Sequence, residues 1–299
     1  MSMSQRHLLP FLAAFIGVGL MSLMDAQMKG AALATGVFTA SLLRSLLAAA
    51  FIAPVWLVQK SAWPGAKVMR LHAERGVISA FMALTFFYAL TKLPIAEAIA
   101  ISFVAPLLAL YFAHLLLGEQ ISKGAIGASV LGLAGTLVIV SGRLGRTEME
   151  DDVLLGLASL FVSALLYAYN FVVIRKQSQA AGPIEVTTFH AGISGLVQLL
   201  AAPFFFVMPG SGAMLTIAGA AALTVGGSMA IAWAYARAEA QVLVPVEYTG
   251  FGWAALFGWL FFREAVTLPT IVGVALILLA CWIAAPRAKR AASTEIASV

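Results

Sequence analysis

Charge is what this sequence has least of. Asp, Glu, Lys and Arg make up 10% of its 299 residues, against roughly 25% in an average soluble chain. A soluble surface is normally about 25–35% charged, so the shortage excludes a soluble enzyme and a disordered protein. Cysteine is scarcer: Cys281 stands alone, which excludes an intrachain disulfide, a cysteine-based metal cluster and a secreted disulfide scaffold. Between Ala280 and Trp282 it reads as a small packing residue. There is no HExxH and no carboxylate cluster, so no metal is expected. There is no GxxxxGK[ST], which argues against direct use of ATP, and no cofactor is implied. The net charge of +5 comes from basic residues dispersed between apolar stretches. They form no patch with interleaved aromatics, so nucleic acid is excluded, and their partner is the anionic membrane surface.

Apolar residues are abundant, at 62%, and the mean hydropathy is +0.98. That is the composition of a polytopic helical membrane protein. Ten stretches are long enough to cross a bilayer: 8–28, 36–58, 75–92, 94–117, 123–142, 153–174, 185–208, 214–236, 241–262 and 267–285. Pro and Gly mark their boundaries at Trp63-Pro64-Gly65, Leu93-Pro94, Gly182-Pro183 and Pro209-Gly210. The first stretch belongs to the serial pattern and is expected to stay in the mature chain rather than act as a cleaved leader. With the N-terminus placed in the cytoplasm, twelve Lys and Arg residues, Arg75 among them, face inside, while Lys29, Lys92, Arg143, Arg146 and Arg263 face outside. The basic excess favours that orientation, with both termini cytoplasmic.

A weak repeat at an offset of 145 residues matches Leu117-Gly118-Glu119-Gln120-Ile121-Ser122 with Phe262-Arg263-Glu264-Ala265-Val266-Thr267. The same offset sets Asp25 over Asn170, Arg44 over Phe189 and Ser102 over Glu247. Each copy holds five spans, so the second runs through the membrane inverted, as transporter halves do. The fold expected is an all-α integral membrane protein. Its ten transmembrane helices form two inverted five-helix repeats, residues 1–146 and 147–299, in one transport domain.

These features resemble the drug/metabolite transporter superfamily, EamA type. Ala105-Pro106-Leu107-Leu108-Ala109-Leu110 leading to Leu117-Gly118-Glu119 matches its proline-to-Gly-Glu pattern. The second half departs from the pattern, with Phe251 where the proline is expected. There Pro245-Val246-Glu247-Tyr248-Thr249-Gly250, with Phe251-Gly252-Trp253, looks like the bacterial aromatic amino-acid exporter branch. The resemblance implies an exporter in the bacterial inner membrane, with a cavity between the halves lined by spans 3, 4, 8 and 9.

An ionisable group inside the bilayer needs a partner or a wet cavity. Asp25 and Arg44 are expected to pair across spans 1 and 2. Glu97, three residues after Pro94, complements a helix N-terminus. Glu247, two residues after Pro245, marks a kink in a cavity wall. His190 and His114 read as structural histidines. Tyr88, Tyr169, Trp233 and Tyr248, with Ser102 and Asn170, are the cavity candidates; Tyr167 and Tyr235 also carry polar handles within spans. Trp56, Trp63 and Trp282 are expected at membrane interfaces. A stripe of Gly124, Ala128, Gly132 and Thr136 is expected to pack within the chain, favouring a monomer.

The leading expectation is a secondary exporter of small amphipathic solutes, above all aromatic amino acids. A multidrug exporter of cationic aromatics stays open through Glu247. Gly192-Ile193-Ser194-Gly195 with His190 resembles a hydrolase motif. Two groups on one helical turn do not supply a nucleophile–base geometry, and no enzymatic activity is expected.

Overall fold

A computed structural model describes residues 3–59, 62–117, 123–144, 151–178, 180–235, 237, 243 and 246–284. Glu119, Pro245 and Glu148-Met149-Glu150 lie outside the described residues. Among the described residues are twelve helices and no strand. They are α1 (Met3–Thr35), α2 (Val37–Val58), α3 (Ala66–Lys92), α4 (Ile95–Ser102), α5 (Ala105–Leu117) and α6 (Lys123–Leu144), then α7 (Asp151–Ser178), α8 (Pro183–Leu199), α9 (Ala202–Phe205), α10 (Ser211–Tyr235), α11 (Thr249–Phe262) and α12 (Leu268–Ala284). Six of the described segments are long and apolar enough to cross a bilayer, and α6, α11 and α12 contain shorter apolar stretches. The α8 helix, continued by α9, takes the place of the seventh expected span.

The third and fourth expected spans also differ from what the sequence led us to expect. The third begins at Ala66 rather than at residue 75. Its first turns carry Lys67, Arg70, His72 and Glu74, which hide a helix from a count of apolar residues but do not stop its hydrogen bonding. Arg75 therefore lies well inside α3, not in a loop. The fourth span is broken into α4 and α5. Pro106 has no N–H to offer the Ser102 carbonyl, and the chain tightens just before it: Val104 N–H bonds Ile101 O at 3.0 Å. The break at Phe103–Val104 has a counterpart 145 residues on, where Tyr248 forms a turn ahead of α11.

The helices close into a ring. In order, α1 packs on α10, α10 on α2, α2 on α8, α8 on α3, α3 on α7, α7 on α5, α4 on α11, and α11 back on α1. The α6 and α12 helices pair with each other and touch the ring through α4 and α5. Exchanging α1 with α7, α2 with α8, α3 with α10, the α4–α5 pair with α11, and α6 with α12 maps each ring contact onto another or, for α2–α8 and α4–α11, onto itself. That is the inverted repeat seen as packing. A single residue joins α1 to α2: Gly36 takes φ +83°, a conformation that costs other residues a clash with Cβ.

Lipid gives helices little hydrophobic reason to associate, so close packing must hold them. Ala128 is fully buried, and a Cβ on Gly132 would collide with Leu107 of α5 at 2.3 Å. These middle positions of the small-residue stripe pack within the chain, as expected. The tightest crossing is between α6 and α12, where a Cβ on Gly135 would lie 2.6 Å from the Gly273 carbonyl oxygen.

Candidate functional site

One end of the ring is closed by charge. The Lys29 ammonium of α1 donates to the Leu93 carbonyl at 2.7 Å and pairs with Glu264 Oε1. Glu264 Oε2 accepts the Ile95 N–H at 2.8 Å, at the start of α4. Glu97, in the first turn of α4, is buried and accepts the Thr270 hydroxyl of α12 at 3.3 Å. That position agrees with its expected role at a helix N-terminus. A shallow recess lies beside Glu264, between Pro94, Glu97, Ala254 and Gly258.

Arg263 aims Glu264 into this latch. It caps α11 in the left-handed conformation, φ 56°, and lets the Glu264 N–H return to Gly258 O at 3.1 Å. In the matching motif this position is Gly118, the residue that adopts that conformation without penalty. Arg263→Gly is therefore expected to stabilise the fold by about 1 kcal/mol, less the contact of Arg263 with the Trp259 ring (5.6 Å). Thermal unfolding in detergent measures it.

Deeper in the ring the two helix breaks meet. Phe103 and Tyr248, equivalent under the repeat, touch edge to face with centroids 5.5 Å apart. Cys281 of α12 lies beside them: its thiol approaches the Phe103 carbonyl at 3.6 Å, within reach of the Tyr248 side chain. The single cysteine thus packs at the repeat axis.

Elsewhere in the helix ring lie buried polar groups that the fold itself does not satisfy. Arg44 of α2 is buried; its contacts to Thr224 (3.4 Å) and Ser45 (3.5 Å) are long, and its Nε has no partner. Its guanidinium sits 5.3 Å from the Phe87 ring centroid. Asp25 of α1 is buried within reach of the Arg44 charge. Asn170 Oδ1 and Trp253 Nε1 are buried without partners. His190 lies within electrostatic reach of Arg44 and Arg75, and Tyr167 within reach of Glu247, Asp25 and Arg75. Tyr167 and Glu247 are both exposed.

Near the other end a buried chain of hydrogen bonds ties α3, α7 and α8. Arg75 donates to Gln177 Oε1 at 2.7 Å, and the Gln177 amide donates to His72 Nδ1 at 2.6 Å. His72 Nε2 then donates to Glu185 at 3.0 Å. The His72 ring stacks on Phe189 at 4.7 Å.

The expected site residues divide accordingly. Asp25 and Arg44 lie in each other's field, His190 in that of Arg44, and Glu247 in reach of Tyr167, while Tyr248 stands at the junction and Asn170 is buried in α7. Asp25 and Arg44 make no direct ion pair: they sense each other's charge without contact. The Ser102 hydroxyl is turned back onto Ala98 O at 2.8 Å. Tyr169 donates to Glu74 and stands against Phe112. Tyr88 lies in the last turns of α3 beneath Lys92 (5.9 Å), at the latched end. Trp233 stacks under Arg237 at 4.2 Å in the last turn of α10, as an interfacial side chain does. Trp56 is buried against Trp63 and Phe189 and anchors no interface, whereas Trp63 and Trp282 are exposed. The Ser194 hydroxyl accepts from Gln198, so its partner is an amide and not a histidine. The sequence reading missed Arg75 and Gln177. His72, Arg75 and Ser79 recur at helical spacing, and that polar stripe was the available signal.

Comparison with known proteins agrees with this architecture. The pseudopaline exporter CntI of Pseudomonas aeruginosa (strain UCBPP-PA14) is 28% identical over 220 residues, 72% of this chain and 74% of its own. The aromatic amino acid exporter YddG of Ancylobacter novellus is also 28% identical, over 122 residues, 40% of this chain and 42% of its own. A solved crystal structure superimposes with a TM-score of 0.61 at 20% identity, covering 95% of this chain and 97% of that one. The sequence matches the EamA-like transporter family twice, over residues 8–141 and 154–285. A ring of membrane helices with an inverted repeat, and this double match, place the chain in that family: it is a multi-pass membrane transporter of small molecules and not an enzyme.

Proposed function

We propose that this transporter exports small amphipathic solutes, aromatic amino acids first among them, by alternating access between residues 1–146 and 147–299. The observation that carries the reading is the meeting of two broken spans at Phe103 and Tyr248 in a helix ring that also holds buried polar groups without partners. Broken helices at the midplane of inverted repeats form transporter binding sites. Aromatic faces from Phe87, Tyr167 and Tyr248 suit a flat ring, and polar groups beside them suit a charged or hydrogen-bonding end. The relative YddG is named for aromatic amino acids and CntI for pseudopaline, so the class of solute varies among relatives and the substrate is tested directly. In the orientation we favour, in the bacterial inner membrane with both termini cytoplasmic, the Lys29–Glu264 latch faces outward. Transport runs downhill or is coupled to an ion gradient.

Reconstituted into liposomes, the protein is expected to release preloaded tryptophan, phenylalanine or tyrosine faster than empty liposomes do. Repeating the assay across a pH gradient separates coupled from facilitated movement. Failure to move any of the three removes the aromatic amino-acid reading. Cationic aromatics are the second reading, favoured by the exposed Glu247 carboxylate whose charge reaches Tyr167. Glu247→Gln is expected to leave amino-acid efflux within about twofold while slowing any efflux of cations roughly tenfold, the scale of one lost hydrogen bond to a charged group.

A further inference from the structure

Two buried, opposite charges inside the ring stand near each other without touching. Asp25 and Arg44 are each about nine-tenths buried. Each lies in the other's field, yet among the described residues no ion pair joins them, and Asp25 makes no hydrogen bond. A guanidinium offers five N–H donors in a planar fork. Here two of them make contacts of 3.4 and 3.5 Å, at the weak limit, and Nε makes none. Isolated charges at such depth are costly. A pair that served only to cancel charge would close into contact. This pair is held apart instead, by Phe87 over Arg44 and by the attachment of α1 to α10 and α11.

We propose that Arg44 and Asp25 form a clamp for the head group of a zwitterion, Arg44 receiving the carboxylate and Asp25 the ammonium of an α-amino acid. The inference rests on the exporter reading above and deepens it. It makes the head group the common element of recognition and leaves the side chain to the aromatic walls. The fork of Arg44 matches a carboxylate bidentately. The ligand's own dipole fills the gap that the two protein charges leave open, so the loaded site carries both charges satisfied. His190 lies within electrostatic reach of Arg44 and Arg75, and Tyr167 within reach of Asp25. Phe87 and Tyr167 then flank the side chain.

Binding to the full chain in lipid nanodiscs tests this with four labelled probes. They are tryptophan, leucine, tryptamine (no carboxylate) and indole-3-propionate (no ammonium). The wild type is expected to hold tryptophan roughly tenfold or more tighter than tryptamine or indole-3-propionate, as loss of a hydrogen-bonded charge implies. Arg44→Gln is expected to abolish the preference over tryptamine, and Asp25→Asn the preference over indole-3-propionate. Arg44→Lys, which keeps the charge and loses the fork, is expected to weaken tryptophan less than Arg44→Gln does. It also guards against loss of fold, which monodisperse elution checks for every variant. The double variant Asp25→Asn/Arg44→Gln is decisive. A merely structural pair tolerates removal of both charges, whereas the clamp loses tryptophan in the double variant as in the singles. Wild-type affinity in the double variant, or equal wild-type affinity for tryptophan, tryptamine and indole-3-propionate, overturns the clamp and leaves the exporter reading intact. Strong binding of leucine without tryptophan keeps the clamp and removes the aromatic preference. Binding of none of the zwitterions overturns both.

Discussion

Lys29→Ala is expected to destabilise the protein by about 3–5 kcal/mol, the cost of removing one member of a buried ion pair. The side chains of Lys29 and Glu264 are 8% and 15% exposed, so solvent does little to screen the loss. Without the ammonium, the Glu264 carboxylate keeps the Ile95 N–H and nothing of opposite charge, and the Leu93 carbonyl at the end of α3 loses its donor. Glu264→Gln is expected to cost less, about 1–3 kcal/mol. The amide oxygen replaces one acceptor, but its NH2 cannot accept from Ile95. Replacing both residues with leucine is expected to recover most of the stability lost in Lys29→Ala, because no charge is then left buried. Unfolding midpoints of the three variants in detergent give that order directly.

The double-leucine variant also separates fold from function. The latch joins α1 to the α3–α4 junction and to the α11–α12 connection, across the boundary between halves. Under the 145-residue offset, Lys29 maps onto Ile174, so the same latch cannot exist at the opposite end. A transporter whose halves exchange roles, but whose ends close by different chemistry, has conformations of unequal energy. Deleting the latch is expected to raise the fraction open at the Lys29 end. A cysteine introduced at Ala255, beside the recess, is then expected to react faster with a membrane-impermeant maleimide, roughly tenfold for each 1.4 kcal/mol removed from the closed state.

Much of this architecture could be read from the sequence because the bilayer imposes its length scale on apolar runs. Both α2 and α12 coincide with expected spans almost residue for residue. The repeat was legible in Gly118-Glu119 against Arg263-Glu264, although its physical reason was not: in the second copy Arg263 is a left-handed helix cap that turns Glu264. Hydropathy failed where helix and membrane part company. The polar start of α3 hid Arg75 and His72, because partners in Gln177 and Glu185 come from distant segments. The break in the fourth span was written in Pro106, yet apolar residues on both sides made it read as one span. Asp25 and Arg44 were found as charges. Their separation is a property of helix packing, which no local pattern encodes. For Trp233, periodicity gives a face, and the stacked Arg237 is a neighbour that only the fold reveals.

Gly135→Ala is expected to destabilise the fold by about 1–3 kcal/mol, against the intrinsic preference of helices for alanine by about 1 kcal/mol. The sign is decided by what the new methyl meets. At Gly135 it meets the Gly273 carbonyl oxygen at 2.6 Å, with Ile277 at 2.8 Å and Leu276 at 3.1 Å; on α12, a Cβ at Gly273 meets the Gly135 oxygen at 2.5 Å. Backbone cannot swing aside as a side chain does, so the helices must separate, losing contacts along their whole crossing. Gly127 lies on the same helix with nothing within 4 Å of its would-be Cβ, and Gly127→Ala is expected to leave stability unchanged or raise it by up to about 1 kcal/mol. The contrast matters because α6 and α12 pair outside the ring and are exchanged by the repeat, so their crossing lies on the axis about which the halves are related. Separating them moves the supports of α4 and α5, which flank the break at Phe103–Val104 and its contact with Tyr248. Gly135→Ala is accordingly expected to lower the rate of tryptophan efflux as well as the unfolding midpoint, while Gly127→Ala lowers neither.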